Sequence, residues 1–388
     1  MHITIFADPI DTQYAGIHHY TKNLTKNLLK TDLKNTYTIV HAKPNEWLTK
    51  AIQKANKKTQ SSNRISEIII PRNKFPGGES IRRFFTIPKI INKLSPNIVL
   101  EPCHIGPFRL KKGIKRALVV HDITPVLFPH FHTFRGRFIH KLFLKRSIEN
   151  ADIIITPSQT TKEDIVKKYH PKAKISVTHL GVKPPEKTET DKNISQPYFL
   201  YLGTIEPRKN LEILVDAFIE LKTTHQIPHQ LILAGQIGWK SKQLLKKIKK
   251  YNNQSNQNNS TKSQQLQIIT TDWITESEKE ILLKNADIFI YPSLYEGFGL
   301  PPLEAMNYGI PVICSKGGSL KEIYRNTALL FNPTDKEKLK KHILSLINNS
   351  QTNQKNSLRD TLIKNGLSFA KKHTWQKTAE ETLKAISY

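Results

Sequence analysis

Tyr291-Pro-Ser-Leu-Tyr-Glu-Gly-Phe-Gly-Leu-Pro-Pro-Leu-Glu-Ala-Met306 is the stretch whose reading decides the fold. The apolar run Ala286-Asp-Ile-Phe-Ile290 before it has the length and composition of a buried strand. Gly297 and Gly299 then free the backbone to turn sharply. Pro301 and Pro302 suit the first turn of a helix, where a missing N–H costs nothing. Glu296 therefore falls at a strand exit and Glu304 in the first turns of a helix. The amides of Gly299 and Leu300 at that helix start form a natural anion site. Two readings stay open for the stretch alone: a binding turn, or an ordinary strand–turn–helix with Glu304 favouring the helix dipole.

Outward from this point the same alternation fills the chain, which predicts parallel βαβ construction. In the first half, strands are expected at 2–7, 37–41, 67–71, 97–101, 117–121, 152–156 and 175–179, with helical patterns such as 17–29 and 81–94. A polar, Pro-containing stretch without periodicity, 184–197, reads as a linker. Strands resume at 198–203, 230–235, 267–271, 287–291, 311–315 and 328–332. The Asn/Gln/Ser tract at 251–265 reads as a solvated, mobile loop, because it supplies no core face. The end of the chain, 335–387, reads as helical, with its last piece reaching back across the domain boundary. At 388 residues two domains are the default. The fold class is α/β, two doubly wound domains of similar size, and such sheets bind ligands at the carboxyl ends of their strands.

The net charge of +28 offers three explanations: nucleic acid, an anionic membrane, or a uniformly Lys-rich surface. No nucleic-acid motif or aromatic stacking platform is present, so no nucleic-acid partner is expected. The stretches 80–91 and 134–146 interleave Arg and Lys with Phe, Ile and Leu, as interfacial helices do. They read either as a basic face for anionic lipid or as helices that pack on the sheet with a solvated basic side. Cys103 and Cys314 read as buried, reduced thiols, and no metal-ligand spacing occurs. The first residues read as a strand, not a signal peptide, and no apolar run reaches the ~18 residues of a membrane span. A cytoplasmic protein, touching a membrane at most peripherally, is expected.

The residues that draw attention cluster at strand exits: Asp8 and Gly16, Glu101, His121-Asp122, Gly203 to Lys209, Gly235 and Glu296. In the loop Gly203-Thr-Ile-Glu-Pro-Arg-Lys-Asn210, Asn210 is placed to cap the next helix. Arg208 and Lys209 beside that positive end suit a diphosphate, Arg gripping two oxygens and Lys supplying a compact charge. Two solvated basic residues are the alternative. Gly16 would let a ligand approach the backbone, but without a G-x-G-x-x-G fingerprint this is no nicotinamide-nucleotide site. His121 could donate to an oxyanion or a sugar hydroxyl, or form a structural pair with Asp122.

Residues 291–306 strongly resemble the Glu-x7-Glu signature of retaining, GT-B type glycosyltransferases of family four. Gly-Thr-Ile-Glu-Pro-Arg-Lys-Asn-Leu resembles that family's diphosphate loop, and Ala15-Gly-Ile-His-His-Tyr20, Val120-His-Asp-Ile-Thr-Pro125 and Thr156-Pro-Ser-Gln159 are similar to further family segments. The resemblance implies a Rossmann-like acceptor domain over 1–183, a linker over 184–197, a Rossmann-like nucleotide-sugar domain over 198–372, and a helix over 373–388 packed back on the first domain. It implies that Glu304 holds the nucleotide's ribose and Glu296 contacts the donor sugar. Arg208 and Lys209 would neutralise the diphosphate, helped by the amides of Phe298, Gly299 and Leu300. Gly203 would belong to the donor loop, Gly16 would let the first domain approach the phosphates, and His121 would line the sugar and acceptor side. No metal or other cofactor is expected. The chain departs from the family at Gly16-Ile-His-His-Tyr20, where Gly-Ile-Gly-Arg-Tyr is common, and at Asn326-Thr-Ala328, where Gly-Asp-Ala is usual. The forms Glu-Pro-Arg-Lys-Asn and His-Asp-Ile-Thr-Pro look most like mannosyltransferases of surface-polysaccharide assembly, so GDP-mannose is the first expectation for the donor and a lipid-linked or polysaccharide acceptor for the partner. The alternatives are a sugar-nucleotide epimerase on this fold and a basic membrane-binding protein with a degenerate site.

Overall fold

The computed structural model describes residues 1–11, 15–58, 64–73, 75–104, 106, 109–185, 196–258, 267–351 and 357–387. Two compact units form, one of Met1–Gly181 with Thr374–Tyr388 and one of Val182–His373. Most of the stretch read as a linker lies outside the described residues.

In the first unit β1 (His2–Phe6), α1 (Ala15–Thr31), β2 (Thr36–His41), α2 (Glu46–Lys58) and β3 (Ile65–Ile69) come first. A short helix α3 (Gly78–Ile81), one π-helical turn over Arg82–Thr86, α4 (Ile87–Leu94), β4 (Ile98–Glu101) and β5 (Lys115–Val119) follow. Then come α5 (Thr124–Leu127), α6 (Phe134–Glu149), β6 (Ile153–Thr156), α7 (Gln159–Tyr169) and β7 (Lys174–Val177). All seven strands pair in parallel in the order β3-β2-β1-β4-β5-β6-β7. The second unit repeats the plan with β8 (Tyr198–Leu202), α8 (Leu211–Thr224), β9 (Gln230–Ala234), α9 (Lys242–Asn258), β10 (Ile268–Thr270), α10 (Glu276–Asn285), β11 (Ile288–Tyr291), α11 (Leu300–Asn307), β12 (Val312–Ser315), α12 (Leu320–Tyr324), β13 (Leu329–Phe331), α13 (Lys336–Gln351) and α14 (Leu358–Lys372). Its sheet order is β10-β9-β8-β11-β12-β13. The last helix, α15 (Trp375–Ile386), belongs to the first unit, where Trp375 meets Tyr20 of α1 edge-on and Thr378 Oγ1 donates to the His179 carbonyl at 2.8 Å.

Strands such as β4, β6, β8, β9 and β11 are buried along their whole length. This is the reason they read as unbroken Val, Ile, Leu and Phe runs: a parallel sheet is covered by helices on both faces. Helix starts are fixed locally, by Ser158 on the Thr161 amide and by capping boxes at Thr275/Glu278 and Ser357/Asp360. In each sheet the order reverses once, between β1 and β4 and between β8 and β11. The loops leaving those strands diverge to opposite faces and open the crevice where doubly wound sheets take ligands.

Three expectations are corrected. Residues 251–258 are helical, the end of α9, and Asn252 is buried there, its side chain bonded to both the amide and the carbonyl of Ile268. An isolated polar tract can still be helical when one of its amides satisfies a neighbouring strand end; the rest of the tract lies outside the described residues. Arg82, read as part of a basic face, is 1% exposed, and its guanidinium grips Asp8 at 2.6 and 2.7 Å. Asp8 and Glu101, read as strand-exit candidates, are both neutralised structurally, Glu101 by Arg116 at 2.8 and 3.0 Å. Neither cysteine forms a disulfide; Cys314 is buried and Cys103 half-buried.

Breaking a buried ion pair strands one charge at a cost of about 3–5 kcal/mol. Arg82→Ala should therefore destabilise the first unit by about that much in urea unfolding. Arg83→Ala, whose side chain is 27% exposed, should cost under ~1 kcal/mol. Equal small effects would contradict the assignment of Arg82 as the internal counter-ion.

Candidate active site

In the second unit the crevice between β8 and β11 is built by residues 203–210 and 292–299. Gly203 directly follows β8 and Gly235 directly follows β9. A Cβ on Gly235, at φ 135°, would lie 2.3 Å from the Gly203 carbonyl oxygen, so the two strand exits touch only because residue 235 is glycine. After Gly203 the chain turns through a 3-10 turn over Pro207–Lys209 into Asn210. Asn210 stands at the N-cap of α8 in left-handed geometry (φ 55°), yet its side chain makes no capping bond. Its Nδ2 donates instead to the carbonyls of Pro292 (3.1 Å) and Pro333 (2.7 Å), stapling the loop to the β11 exit. Leu294 N also donates to the Arg208 carbonyl at 2.8 Å. The sequence alone overstated the capping role and gave no hint of this staple.

That stapling places Arg208, Lys209 and Glu296 in direct contact. Lys209 Nζ donates to Glu296 Oε1 at 2.6 Å and to the Tyr291 hydroxyl at 2.8 Å. Arg208 Nη1 meets Glu296 Oε2 and the Tyr295 carbonyl, both at 2.9 Å, while Nη2 meets Glu206 Oε1 at 2.8 Å. Ser293 Oγ (2.6 Å) and the Tyr291 hydroxyl (3.1 Å) also donate to Glu296 Oε1. Lys209 and Glu296 are each 7% exposed. Burial alone would raise the Glu296 carboxyl, but the charges of Arg208 and Lys209 outweigh it and hold the group at about 2. Burial, and then Arg208, push the Lys209 ammonium down, against the pull of Glu296 and Glu206. Glu296 is thus bonded to the two cations, not separated from them by a ligand-sized gap. Glu206, Tyr291 and Ser293 are participants that sequence reading missed; Ser293, three residues before Glu296, was the available signal.

The turn then runs through buried Phe298 to Gly299 (φ 86°), which precedes α11. A Cβ on Gly299 would lie 2.4 Å from Leu320 Cδ2, and the Gly299 carbonyl accepts from the Tyr324 hydroxyl at 2.5 Å. Leu300 opens α11, whose first-turn amides have no partner inside the helix. Glu304 faces another way than Glu296: its Oε1 accepts from Lys279 Nζ of α10 at 2.9 Å, and Lys279 also pairs with Glu276. The two acidic partners hold the Lys279 ammonium above its ordinary range although burial opposes them. Lys279 had no distinguishing signal in a chain with 60 Lys and Arg residues.

In the first unit His121 follows β5, and its ring meets Tyr20 of α1 edge-on at 4.6 Å. Its Nε2 lies 2.8 Å from the Pro102 carbonyl. A carbonyl only accepts, so Nε2 carries the proton. Burial lowers the imidazole's basicity despite Pro102 and Asp122, leaving a neutral ring whose Nδ1 is an acceptor. With Nε2 committed to Pro102, the ring nitrogen left to meet a ligand is Nδ1. Asp122 Oδ1 is taken by the Thr124 amide and hydroxyl at 3.0 and 2.7 Å. Gly16 lies exposed in the first turn of α1, and a Cβ there would meet nothing within 4 Å. Neither the protein's packing nor its backbone angle requires glycine at that position.

Among the described residues, no group of three or more His, Cys, Asp or Glu side chains is arranged to hold a metal ion. The family model described as glycosyl transferases group 1 matches residues 182–368, and the glycosyltransferase family 4 model matches residues 15–185. The O-antigen chain mannosyltransferase B of Escherichia coli is 31% identical over 294 residues, which cover 72% of this chain and 72% of that protein. The chain belongs to the group 1, family 4 glycosyltransferases. The O-antigen chain mannosyltransferase RfbU of Salmonella typhimurium is 29% identical over 57% of this glycosyltransferase and 58% of its own length. The solved structure of Anabaena Alr3699/HepE in complex with UDP-glucose superposes with a TM-score of 0.70 and 14% identity, covering 100% and 99% of the two chains, which shows a shared fold.

Glu296→Gln leaves two buried cations short of a counter-charge and should destabilise this glycosyltransferase by about 3 kcal/mol or more in chemical unfolding. Glu304→Gln, in a partly exposed pair, should cost about 1 kcal/mol or less. The Glu296 contribution is complete above the carboxyl's ordinary 4.5 and is lost as pH falls through about 2. The wild type should therefore lose stability across that window more steeply than Glu296→Gln. Matching slopes would refute the ion-pair assignment.

Proposed function

We propose that the chain is a retaining hexosyltransferase that moves mannose from GDP-mannose to a lipid-linked or polysaccharide acceptor in surface-glycan or lipopolysaccharide synthesis. The observation that carries this is the Arg208–Lys209–Glu296 cluster, set at the crevice of the second sheet beside the start of α11. The two O-antigen mannosyltransferase relatives support mannose, and the UDP-glucose held by the HepE structure supports a nucleotide-sugar donor in this fold.

In the reaction the acceptor oxygen bonds to the anomeric carbon, the bond from that carbon to the diphosphate breaks, and the hydroxyl proton passes to the departing diphosphate. The dominant demand is stabilising charge on the leaving group. Arg208, Lys209 and the amides of Phe298, Gly299 and Leu300 meet it, the cations exchanging part of their contact with Glu296 for phosphate oxygens. This assigns charge neutralisation to protein groups, with no metal cofactor. Glu304 takes the ribose hydroxyls by giving up Lys279. Glu296 is a poor covalent nucleophile, because two cations and two hydroxyls already occupy its oxygens and its carboxyl lies far into the acid range. Same-face attack by the acceptor is thus the favoured route to retention. In the first unit taken by itself, Gly16 leaves the first turn of α1 open to a ligand, and the acceptor nitrogen of His121 is suited to a sugar hydroxyl.

Among the described residues, no helix is long and apolar enough to cross a membrane. Phe75, Ile81, Phe85, Phe134, Phe138 and Leu142 are exposed large apolar side chains, all in the first unit. Phe84 stacks on Phe143 of α6 at 5.1 Å, so the two basic stretches singled out in the sequence adjoin. This surface supports peripheral attachment to an anionic membrane, on its cytoplasmic side.

Lys209→Ala should slow transfer by about 100-fold or more, ~2.7 kcal/mol of barrier. The assay is run below the variant's melting temperature, with folding checked by circular dichroism. A folded variant at the wild-type rate would remove the diphosphate assignment. Donor incubated without acceptor should stay unchanged; its conversion to an epimer would favour the epimerase reading.

A further inference from the structure

A groove of about 530 Å³ runs beside α4, in the first unit. Phe84, Phe85 and Pro88 give it an apolar wall, and Lys89, Lys93, Arg109 and Lys111 surround that wall with cations. No Asp or Glu lines it, and none of these four cations pairs with an acid among the described residues.

The cationic end is built, not incidental. Asn92 braces it with both ends of its amide: Nδ2 donates to the Arg109 carbonyl at 3.0 Å, and Oδ1 accepts from the Lys111 amide at 2.8 Å. Arg109 sits at φ 66°, left-handed geometry that costs a non-glycine residue about 1 kcal/mol or more. That geometry lays its guanidinium over the Phe85 ring at 4.4 Å, while the ring stays 52% exposed. The apolar end is held by the stacking of Phe84 on Phe143. Lys93 lies in the last turn of α4, which leads into the start of β4, and Lys111 precedes the start of β5. The cations therefore lie toward the amino ends of the sheet, away from His121 at a carboxyl end.

We propose that this groove holds one phosphate-bearing lipid, its phosphate on Lys93, Arg109 and Lys111 and its hydrocarbon on Phe84, Phe85 and Pro88. The proposal rests on the membrane reading above and names the partner of that face. A phosphate suits Arg109 because a guanidinium offers two parallel donors. The lipid is held as an anchor, apart from the place where sugar is transferred.

The test is titration calorimetry of the full chain with dihexanoyl phosphatidic acid kept monomeric. Saturable one-to-one binding is expected. Arg109→Gln, Lys93→Gln and Phe85→Ser should each weaken it about tenfold or more with unchanged melting temperature, and Lys167→Gln on α7 should not. Dihexanoyl phosphatidylcholine and inorganic phosphate should each bind at least about tenfold more weakly. Equal affinity for phosphatidylcholine would reduce the groove to an apolar patch, and equal affinity for inorganic phosphate would make it a free-anion site. Either result, or variants that bind like the wild type, overturns the proposal. Sedimentation with vesicles of phosphatidic acid and phosphatidylcholine tests the membrane reading separately. Binding that fades with salt supports it, and no binding removes it while the monomeric lipid still decides the groove.

Discussion

The contact on which the candidate site depends is the one between Glu296 and the neighbouring cations Arg208 and Lys209. Each of the three is a charged group taken largely out of water, and none could be buried alone without a penalty of several kcal/mol. Together with Glu206 they balance, two positive against two negative. The consequence is a cluster that is charged but locally neutral. On the proposed assignment, an incoming diphosphate would bring its own negative charge and compete with Glu296 for the same donors. The cations are thereby held in place beforehand, which is the form of electrostatic stabilisation that needs least reorganisation during reaction.

The fold reads clearly in the sequence because a parallel sheet buried on both faces leaves no alternation to misread. The runs around Tyr198-Phe-Leu-Tyr-Leu202 and Ile288-Phe-Ile-Tyr291 are apolar at every position, so strand and burial are announced together. Side-chain partnership is much less legible. Nothing in Arg82 distinguishes it from Arg83, yet one is the internal counter-ion of Asp8, 74 positions away, and the other is partly solvated. The same holds for Lys279, which reaches Glu304 only because α10 and α11 pack on the same sheet. Strand-exit position brought Arg208, Lys209 and Glu296 to notice, but their mutual bonding depends on the Asn210 staple, a tertiary contact spanning 82 positions to Pro292.

The basic composition divides along similar lines. Part of the positive charge is internal, with Arg82 and Arg116 satisfying carboxylates inside the first unit. Another part stays at the surface beside exposed Phe and Leu side chains, and there a strained Arg109 is held over an aromatic ring. A merely solvated Lys-rich surface gives no reason for an arginine held over an exposed aromatic ring.

The central claim is that Arg208 and Lys209 receive the donor's diphosphate. It is tested most directly by comparing the affinities of GDP and GMP for the wild type and for Arg208→Gln, by calorimetry, with UDP and UMP run alongside. If the cations grip the second phosphate, the wild type should prefer the diphosphate by about tenfold or more, roughly 1.4 kcal/mol, and that preference should largely vanish in the folded variant. An undiminished preference in Arg208→Gln would contradict the account.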